Sequence, residues 1–538
     1  MKLLSALSKA PAKSAPPSSP TTEDFSQNRP TIVEAIESKR FFKPLFQDIS
    51  SWQSWLVFLK ALYGLPMVEE EQELFKSCTQ RDYTGGKSFE EAYAVCGRRG
   101  GKSRIAAVIA AFEAIFGGWE EKLAKGERGW IFCIATDRDQ AKIVLDYTRS
   151  IFRMFPDLIK REVSQEIELN NQIVVAVKTC NFRAPRGFST AVIVCDELAF
   201  WRSEESSNPA QEVIISLLPS LMDGAKLIGL TTPYGRFGYV YDIWKENFAR
   251  TESDILVWQA GTRVMNPTYS EKKIQKLISR DRTKFTAEYQ AIFRADIEAF
   301  LPQEMIRSAM THGPLPPELG KNYVAFIDPS GGRSDSMTLA VAFNESGKIH
   351  LARTEECRPP FNPGEVVEAF CIILKAYGIR EVTSDRYGGV WVESAFSKHG
   401  IRVKMSDLSA SDLYLEFQPL LAMGRVELID DDRLCLQFQT LERQTRSGGK
   451  DLVTHYPGGH DDLSNAVAGA CVFASRERVW TEAEQEAHLP TAIKNENAER
   501  LLCDIRGEDY TDKKRREDAA EEMDAWMTGQ GMSRIIKR

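Results

Sequence analysis

The sequence contains no pair of cysteines spaced C-x-x-C, although ten cysteines are scattered along its 538 residues. This argues against a zinc site of that kind and against a disulfide framework, and it favours a reducing compartment. No apolar run approaches the ~20 residues that a membrane span needs, so we expect no membrane partner. The net charge is only -7, from 69 basic and 76 acidic residues. Any nucleic acid would therefore have to bind to local basic surfaces.

The length favours two or three domains with substantial cores, since 43% of the residues are hydrophobic. The first 30 residues are rich in Ser and Pro, which predicts a disordered tail rather than a signal peptide. A Pro-rich break near residue 315 indicates a domain boundary. The predicted segments are a tail (1–30), a first domain (31–262), a helical connector (263–318), a second domain (319–476) and a charged C-terminal tail (477–538).

A glycine-rich turn, GRRGGKS, follows an apolar run and precedes a helical pattern. It is typical of a phosphate-binding loop, in which backbone N–H groups surround phosphates, the lysine reaches the outer phosphates and the hydroxyl holds Mg²⁺. The strict pattern has a glycine where Cys96 stands, so taken alone the turn could also be fortuitous. The predicted nucleotide-binding residues are Gly97, Arg98, Arg99, Gly100, Gly101, Lys102 and Ser103.

Two later apolar runs end in polar residues, one in Asp196 and Glu197 and the other in Thr231 and Thr232. Alternating strand and helix patterns predict a mostly parallel sheet with helices on its faces. Asp196 would then lie beside the phosphates and hold Mg²⁺, and Glu197 would polarise the attacking water. The hydroxyl pair could sense hydrolysis, although a simple turn is an equally open interpretation.

A second group of carboxylates comes after residue 319. Asp328 and Asp385 each follow an apolar strand pattern, and Asp461 and Asp462 begin an Ala-rich helical pattern. Acids from strand one, strand four and a late helix match the order of RNase H-like nucleases, in which two cations about 3.5–4 Å apart share carboxylate ligands. Each acid alone also has a structural explanation, either strand-end solvation or helix capping.

The adjacent aspartates at the start of this helix point in different directions, because a helical step turns ~100°. Two glycines precede them, so Asp461 is expected to be the N-cap, where asparagine would serve about as well. A ligand between two cations needs full negative charge. We therefore predict that Asp462 is the metal ligand, although Asp461 stays a candidate.

The ATPase motifs GRRGGKS, VIVCDE and LTTP, followed by AFIDPSGG, VTSDRYGG and GGHDDLSNAV, resemble the large terminase subunit of tailed phages and prophages. The resemblance covers residues 45 to 475. It implies an α/β fold with a P-loop ATPase domain and a mostly parallel sheet, followed by an RNase H-like mixed-sheet nuclease domain. It also implies ATP-driven packaging of double-stranded DNA into a procapsid and cleavage of concatemeric DNA.

The resemblance implies roles for single residues. Lys102, Ser103, Asp196 and Glu197 would serve ATP hydrolysis, Thr231 and Thr232 would couple it to motion, and Asp328, Asp385 and Asp461 or Asp462 would hold Mg²⁺ or Mn²⁺. Gln53 loosely matches the adenine-reading glutamine of the family, and 136–142 looks like the motif after the second strand. Asn465 stands where many relatives have an acid.

Arg186 lies shortly before the acidic strand. It could be an arginine finger at the γ-phosphate, or an arginine that contacts local backbone or DNA.

The implied partners are double-stranded DNA, the small terminase subunit, the portal protein of the procapsid and further copies of the chain in a ring, in the cytoplasm of the infected bacterial host. A DNA helicase or restriction-type translocase with a fused nuclease would share the ATPase motifs. It would usually need a second motor domain, whose place the three-acid pattern takes here. A non-catalytic virion scaffold would need none of the strand-end acids.

Overall fold

The computed structural model describes residues 29–180, 187–201, 209–318, 320–385, 389–445, 451–456 and 459–477. The chain divides into two compact units, 1–295 and 296–538. The residues of the predicted connector, 263–318, fall on both sides of this division. The predicted tails lie outside the described residues except for 29–30 and 477. Among the described helices, none is long and apolar enough to cross a membrane.

The first unit contains an eight-stranded sheet in the order β3-β4-β5-β2-β6-β7-β1-β8. Its strands are β1 (Glu91–Cys96), β2 (Gly129–Ala135), β3 (Ile159–Glu162), β4 (Glu166–Leu169), β5 (Ile173–Thr179), β6 (Ser189–Asp196), β7 (Leu221–Thr231) and β8 (Ile255–Ala260). Its helices are α1 (Ile32–Glu37), α2 (Gln53–Leu62), α3 (Glu69–Thr79), α4 (Lys102–Phe116), α5 (Arg138–Phe152), α6 (Pro209–Leu217), α7 (Tyr239–Asn247), α8 (Thr262–Met265), α9 (Glu271–Ile278) and α10 (Arg282–Gln290).

The six strands from β5 to β8 in this order are parallel. They read as nearly continuous apolar runs because helices cover both faces of such a sheet. Parallel strands end at the same edge, and here β7 lies between β6 and β1. In the register, Asp196 pairs with Leu230 and Val95 pairs with Thr231. The phosphate loop after β1, the acids after β6 and the threonines after β7 therefore meet at one edge.

The second unit contains a seven-stranded sheet in the order β10-β16-β13-β12-β11-β14-β15 and a three-stranded sheet, β18-β17-β9. Its strands are β9 (Ile297–Ala299), β10 (Met310–His312), β11 (Tyr323–Asp328), β12 (Met337–Glu345), β13 (Lys348–Cys357), β14 (Glu381–Ser384), β15 (Arg402–Met405), β16 (Val426–Ile429), β17 (Leu441–Thr445) and β18 (Asp451–His455). Its helices are α11 (Gln303–Ala309), α12 (Pro363–Ala376), α13 (Gly389–Ser397), α14 (Ala410–Ala422), α15 (Asp432–Gln439) and α16 (Asp462–Arg476).

The seven-stranded sheet is mixed, because β12 runs antiparallel to β11 and β13 while the other neighbours are parallel. Helix α16 packs closely on β11, and a Cβ added to Gly469 would lie 2.5 Å from the ring of Phe326. Only glycine allows this approach. The predicted fold class is confirmed, with a mostly parallel sheet in the first unit and a mixed sheet that delivers acids from β11, β14 and α16 in the second.

Candidate active sites

The glycine-rich loop after β1 is held by contacts with later parts of the first unit. The Gly97 amide donates to the carbonyl of Ala260 at 3.0 Å, and the Arg98 amide donates to the carbonyl of Glu288 at 2.6 Å. A Cβ on Gly97 would lie 2.4 Å from the Thr262 hydroxyl oxygen, so this position requires glycine. The sequence analysis missed these anchors, which lie at the end of β8 and on α8 and α10.

The end of the loop exposes a helix N-terminus. Gly101 has φ +96° and forms the N-cap of α4, which begins at Lys102. The first-turn N–H groups of a helix have no acceptor within it, and they are the groups that bind phosphate. Cys96 is the last residue of β1 and is buried. The side chain at the first loop position is therefore accommodated inside the core.

Lys102 is buried, with 5% of its side chain exposed, and it touches the predicted hydrolysis residues. Its ammonium donates to the Thr232 hydroxyl at 2.7 Å and lies 3.3 Å from a carboxylate oxygen of Glu197. The other oxygen of Glu197 accepts the Thr232 amide at 3.2 Å. The structure therefore brings these three predicted residues together.

Asp196 and Ser103 form a second cluster at the same edge. The Ser103 hydroxyl donates to Asp196 Oδ2 at 2.7 Å, and the Gln140 amide donates to the same oxygen at 3.1 Å. Asp196 Oδ1 is buried and has no hydrogen-bond partner among the described residues. Burial raises the pKa of Asp196, and the charge of Glu197 raises it further. A hydroxyl beside a carboxylate with an unpaired oxygen fits Mg²⁺, which prefers hard oxygen ligands.

Three predicted residues of the first unit remain, namely Thr231, Gln53 and Arg186. The Thr231 hydroxyl accepts the Ala199 amide at 3.0 Å and thereby ties the end of β7 to the chain after Glu197. Gln53 is exposed and donates to Glu71 at 3.2 Å. Arg186 lies outside the described residues. Gln140 is a site residue that sequence reasoning missed, although it lies in the segment 136–142 that resembles a family motif.

In the second unit, an asparagine connects two predicted metal ligands. The Asn465 amide nitrogen donates to Asp328 Oδ2 at 2.7 Å and to Asp385 Oδ2 at 2.9 Å. The amide oxygen of Asn465 is buried and has no hydrogen-bond partner in the described part of the chain. The sequence analysis noted Asn465 only as a departure from an acid. Its single amide group draws the two carboxylates together.

Negative charge accumulates in this cluster. Burial raises the pKa of Asp328 well above its usual range, against the Asn465 hydrogen bond, which lowers it. The charges of Asp385, Asp462 and Asp461 raise it further. Burial also raises the pKa of Asp462 to about 6, with a further contribution from Asp461. Clustered carboxylates with so little compensating positive charge fit divalent cations.

The prediction that the Asp461 side chain caps the last helix is wrong, although its position at the start of the helix is as predicted. Asp461 holds the N-cap position, but its side chain makes no capping hydrogen bond. It accepts the Tyr414 hydroxyl at 3.0 Å and lies 3.7 Å from the ring of His455. Its carboxylate is therefore engaged by groups away from the helix end, and burial raises its pKa against the lowering effects of His455 and Tyr414. Asp462, in the first turn, accepts the Ser336 amide at 3.2 Å.

These sites define a class of protein, a P-loop nucleoside triphosphatase joined in one chain to an RNase H-like acid cluster. Residues 78–218 match the family described as the terminase large subunit, ATPase domain. This match confirms the resemblance to the large terminase subunit that the motifs carry, and it makes ATP the nucleotide of the first unit.

Several solved structures are similar to this chain. The large terminase of bacteriophage HK97 is 14% identical, with 76% of this chain and 96% of that chain covered and a TM-score of 0.36. A large terminase from a thermophilic bacteriophage is 12% identical, with 79% and 98% covered and a TM-score of 0.33. The magnesium-bound large terminase nuclease of the thermophilic phage G20c is 18% identical, with 31% and 93% covered and a TM-score of 0.27. No curated protein matches the chain.

The raised pKa values predict how stability depends on pH without metal. A carboxylate whose native pKa exceeds its unfolded value, near 3.8, binds more protons when folded, so stability falls as pH rises from about 4 through the native pKa. Asp328→Asn removes the ionisable group and with it this loss of stability. Its amide oxygen can still accept the hydrogen bond from Asn465. In chelator, its unfolding temperature should exceed that of the parent at pH 7, and the difference should shrink towards pH 4.

The control for this measurement is Glu393→Gln on α13, at an exposed position. It should follow the parent at every pH. The unfolding temperatures of Asp328→Asn and the parent could instead differ by the same amount from pH 4 to 7. That result would contradict the assignment of buried charge to Asp328. Excess Mg²⁺ should stabilise the parent more than the variant, because the cation binds to the native carboxylates.

Proposed function

We propose that the chain works as the large subunit of a terminase. It hydrolyses ATP to drive double-stranded DNA into a procapsid, and it cleaves concatemeric DNA with its second unit. The observation that carries this proposal is the presence, in one chain, of a terminase-type phosphate loop facing Asp196 and of a separate acid cluster around Asn465.

ATP hydrolysis is assigned to the edge formed by β1, β6 and β7. Ser103 and Asp196 would hold Mg²⁺, which would supply positive charge against the phosphates. Lys102 would leave its contacts with Thr232 and Glu197 when phosphates take up its ammonium. Glu197, freed from the lysine, would then polarise the attacking water.

Coupling to motion is assigned to Thr231 and Thr232. Thr232 is hydrogen-bonded to both Lys102 and Glu197. Its hydrogen bonds would therefore change when Lys102 leaves Glu197 to bind the phosphates. Thr231 passes this state to the chain after the acidic strand through the Ala199 amide. Gln53 would read the adenine edge, since it begins α2 next to Trp52, whose ring lies against Gly101.

DNA cleavage is assigned to the acids of the second unit, where Asp328, Asp385 and Asp462 would hold two divalent cations, Mg²⁺ or Mn²⁺. Such a pair of cations activates the attacking water and stabilises the leaving oxygen. Asn465 keeps Asp328 and Asp385 close to each other. Asp461 would help to position the cluster through its hydrogen bond with the Tyr414 hydroxyl.

The partners of this activity are double-stranded DNA, the small terminase subunit, the portal protein and further copies of the chain in a ring, in the cytoplasm of the infected host. A helicase or restriction-type translocase remains the alternative function. It would use the first unit in the same way but would have no need for cleavage of concatemers.

The two activities should separate by mutation, because they use different acids. Lys102→Ala and Glu197→Gln should each lower ATP turnover by at least ~10²-fold, since a positioned base alone contributes that much. Nicking of plasmid DNA in Mg²⁺ should persist in both. Glu197→Gln keeps an acceptor for the Thr232 amide and is the milder structural change. Parental ATPase rates in the Lys102 variant would contradict the assignment of the loop.

The adjacent aspartates of α16 should differ in their effect on cleavage. Asp462→Asn should lose nuclease activity with unchanged folding, because a cation ligand needs the full charge. Asp461→Asn should keep most of it, because an amide oxygen still accepts the Tyr414 hydroxyl. Plasmid nicking and circular dichroism measure the two properties. Activity in Asp462→Asn together with its loss in Asp461→Asn would move the ligand to Asp461.

Arg186 is proposed as an arginine finger that acts on ATP bound to a neighbouring copy, a role worth ~10³–10⁵ in rate when supplied in trans. Arg186→Ala subunits mixed with Lys102→Ala subunits should then recover part of the DNA-stimulated ATPase, because each variant supplies what the other lacks. Lys102→Ala mixed with Glu197→Gln is the matched control, since both changes lie around one nucleotide. No recovery at any mixing ratio would rule out action across an interface.

A further inference from the structure

Three neighbouring strands at one side of the seven-stranded sheet carry possible metal ligands. His312 ends β10, Glu427 lies in β16 and His350 lies in β13, directly opposite Glu427 in the register. One ring nitrogen of each histidine and one carboxylate oxygen lie within 4.8 Å of one another. Among the described residues, this is the one group of at least three histidine, cysteine or acidic side chains whose possible ligand atoms lie this close together.

This cluster is distinct from the nuclease acids. His350 pairs with Phe343, and Phe343 pairs with Tyr323 at the amino end of β11. Asp328 lies at the carboxyl end of the same strand. A strand rises ~3.3 Å per residue, which puts about 17 Å of β11 between the two positions.

The tautomer of His312 leaves one nitrogen without a partner. Its Nδ1 lies 2.7 Å from the carbonyl oxygen of Gly313, and only a protonated Nδ1 can donate to a carbonyl. In the neutral ring the lone pair is then on Nε2, which is buried without a hydrogen-bond partner in the described parts of the chain. A backbone carbonyl that holds one nitrogen while the other faces a ligand is the usual arrangement of a metal-binding histidine.

His350 and Glu427 contact each other directly. His350 Nδ1 lies 3.0 Å from a carboxylate oxygen of Glu427, and the Phe343 ring stacks on the imidazole at 5.0 Å. The Lys348 ammonium pairs with the other carboxylate oxygen of Glu427.

We propose that His312, His350 and Glu427 form a second metal site, which binds a divalent transition cation of the zinc class. Two imidazoles and one carboxylate suit Zn²⁺ in a tetrahedral site whose fourth position is open, whereas Mg²⁺ prefers oxygen ligands. A simple ion pair between His350 and Glu427 would account for those two side chains but would leave His312 Nε2 buried and unpaired. The bound cation ties β10 to β16 and β13.

The test measures zinc bound by the full-length protein after dialysis against micromolar Zn²⁺ in excess Mg²⁺, which occupies the oxygen-ligand sites. The parent should hold one equivalent more Zn²⁺ than His312→Gln and His350→Gln. Zn²⁺ should raise the unfolding temperature of the parent by several degrees and leave both variants unchanged. His399→Gln, which removes a histidine outside the cluster, and Lys348→Ala, which removes the competing ammonium, should retain the equivalent.

A second measurement does not depend on how the variants fold. Co²⁺ added to the parent in the same buffer should give the intense visible absorption of a tetrahedral ion, and Zn²⁺ should displace it. The proposal is overturned if the parent shows no such absorption, if His312→Gln binds as much Zn²⁺ as the parent, or if His399→Gln loses as much as the cluster variants.

Discussion

Carboxylates buried at the carboxyl ends of parallel strands are the constraint on which both units depend. A charge removed from water costs several kcal/mol unless other groups compensate for it. In each unit the hydrogen-bond donors to these acids are neutral and include an amide, Gln140 beside Ser103 for Asp196 and Asn465 for Asp328 and Asp385. An amide satisfies hydrogen bonds without cancelling charge, so each acid cluster keeps the negative potential that attracts a divalent cation.

The packing of α16 on β11 follows from this constraint. Gly469 contacts Phe326, and Asn465 contacts Asp328. Four residues of helix rise about 6 Å and two residues of strand rise about 6.6 Å, so both contacts fit one register. Because Gly469 has no side chain, the helix lies close enough for the short amide of Asn465 to reach both acids.

The sequence predicted the strand-end acids well, because a buried parallel strand is a continuous apolar run and its end is easily recognised. It did not predict which groups would satisfy them. Gln140 and Asn465 carry no periodic signal, and their partners lie far away in sequence. The N-cap position of Asp461 follows from the preceding glycines, whereas its side-chain direction depends on Tyr414, which lies 47 residues earlier. The roles of all the predicted site residues in the reactions, those of Asp461 and Arg186 included, stay predictions.

The anchoring of the phosphate loop has a mechanical consequence. Gly97 and Arg98 are bonded to the carbonyls of Ala260 and Glu288, so the loop cannot shift without carrying α10 along or breaking hydrogen bonds worth ~1 kcal/mol each. Helix α10 ends at Gln290, and only residues 291–295 follow it before the first unit ends. The loop and α10 should therefore move together as one rigid element. This element extends from the nucleotide-binding loop to the point where the chain leaves the first unit.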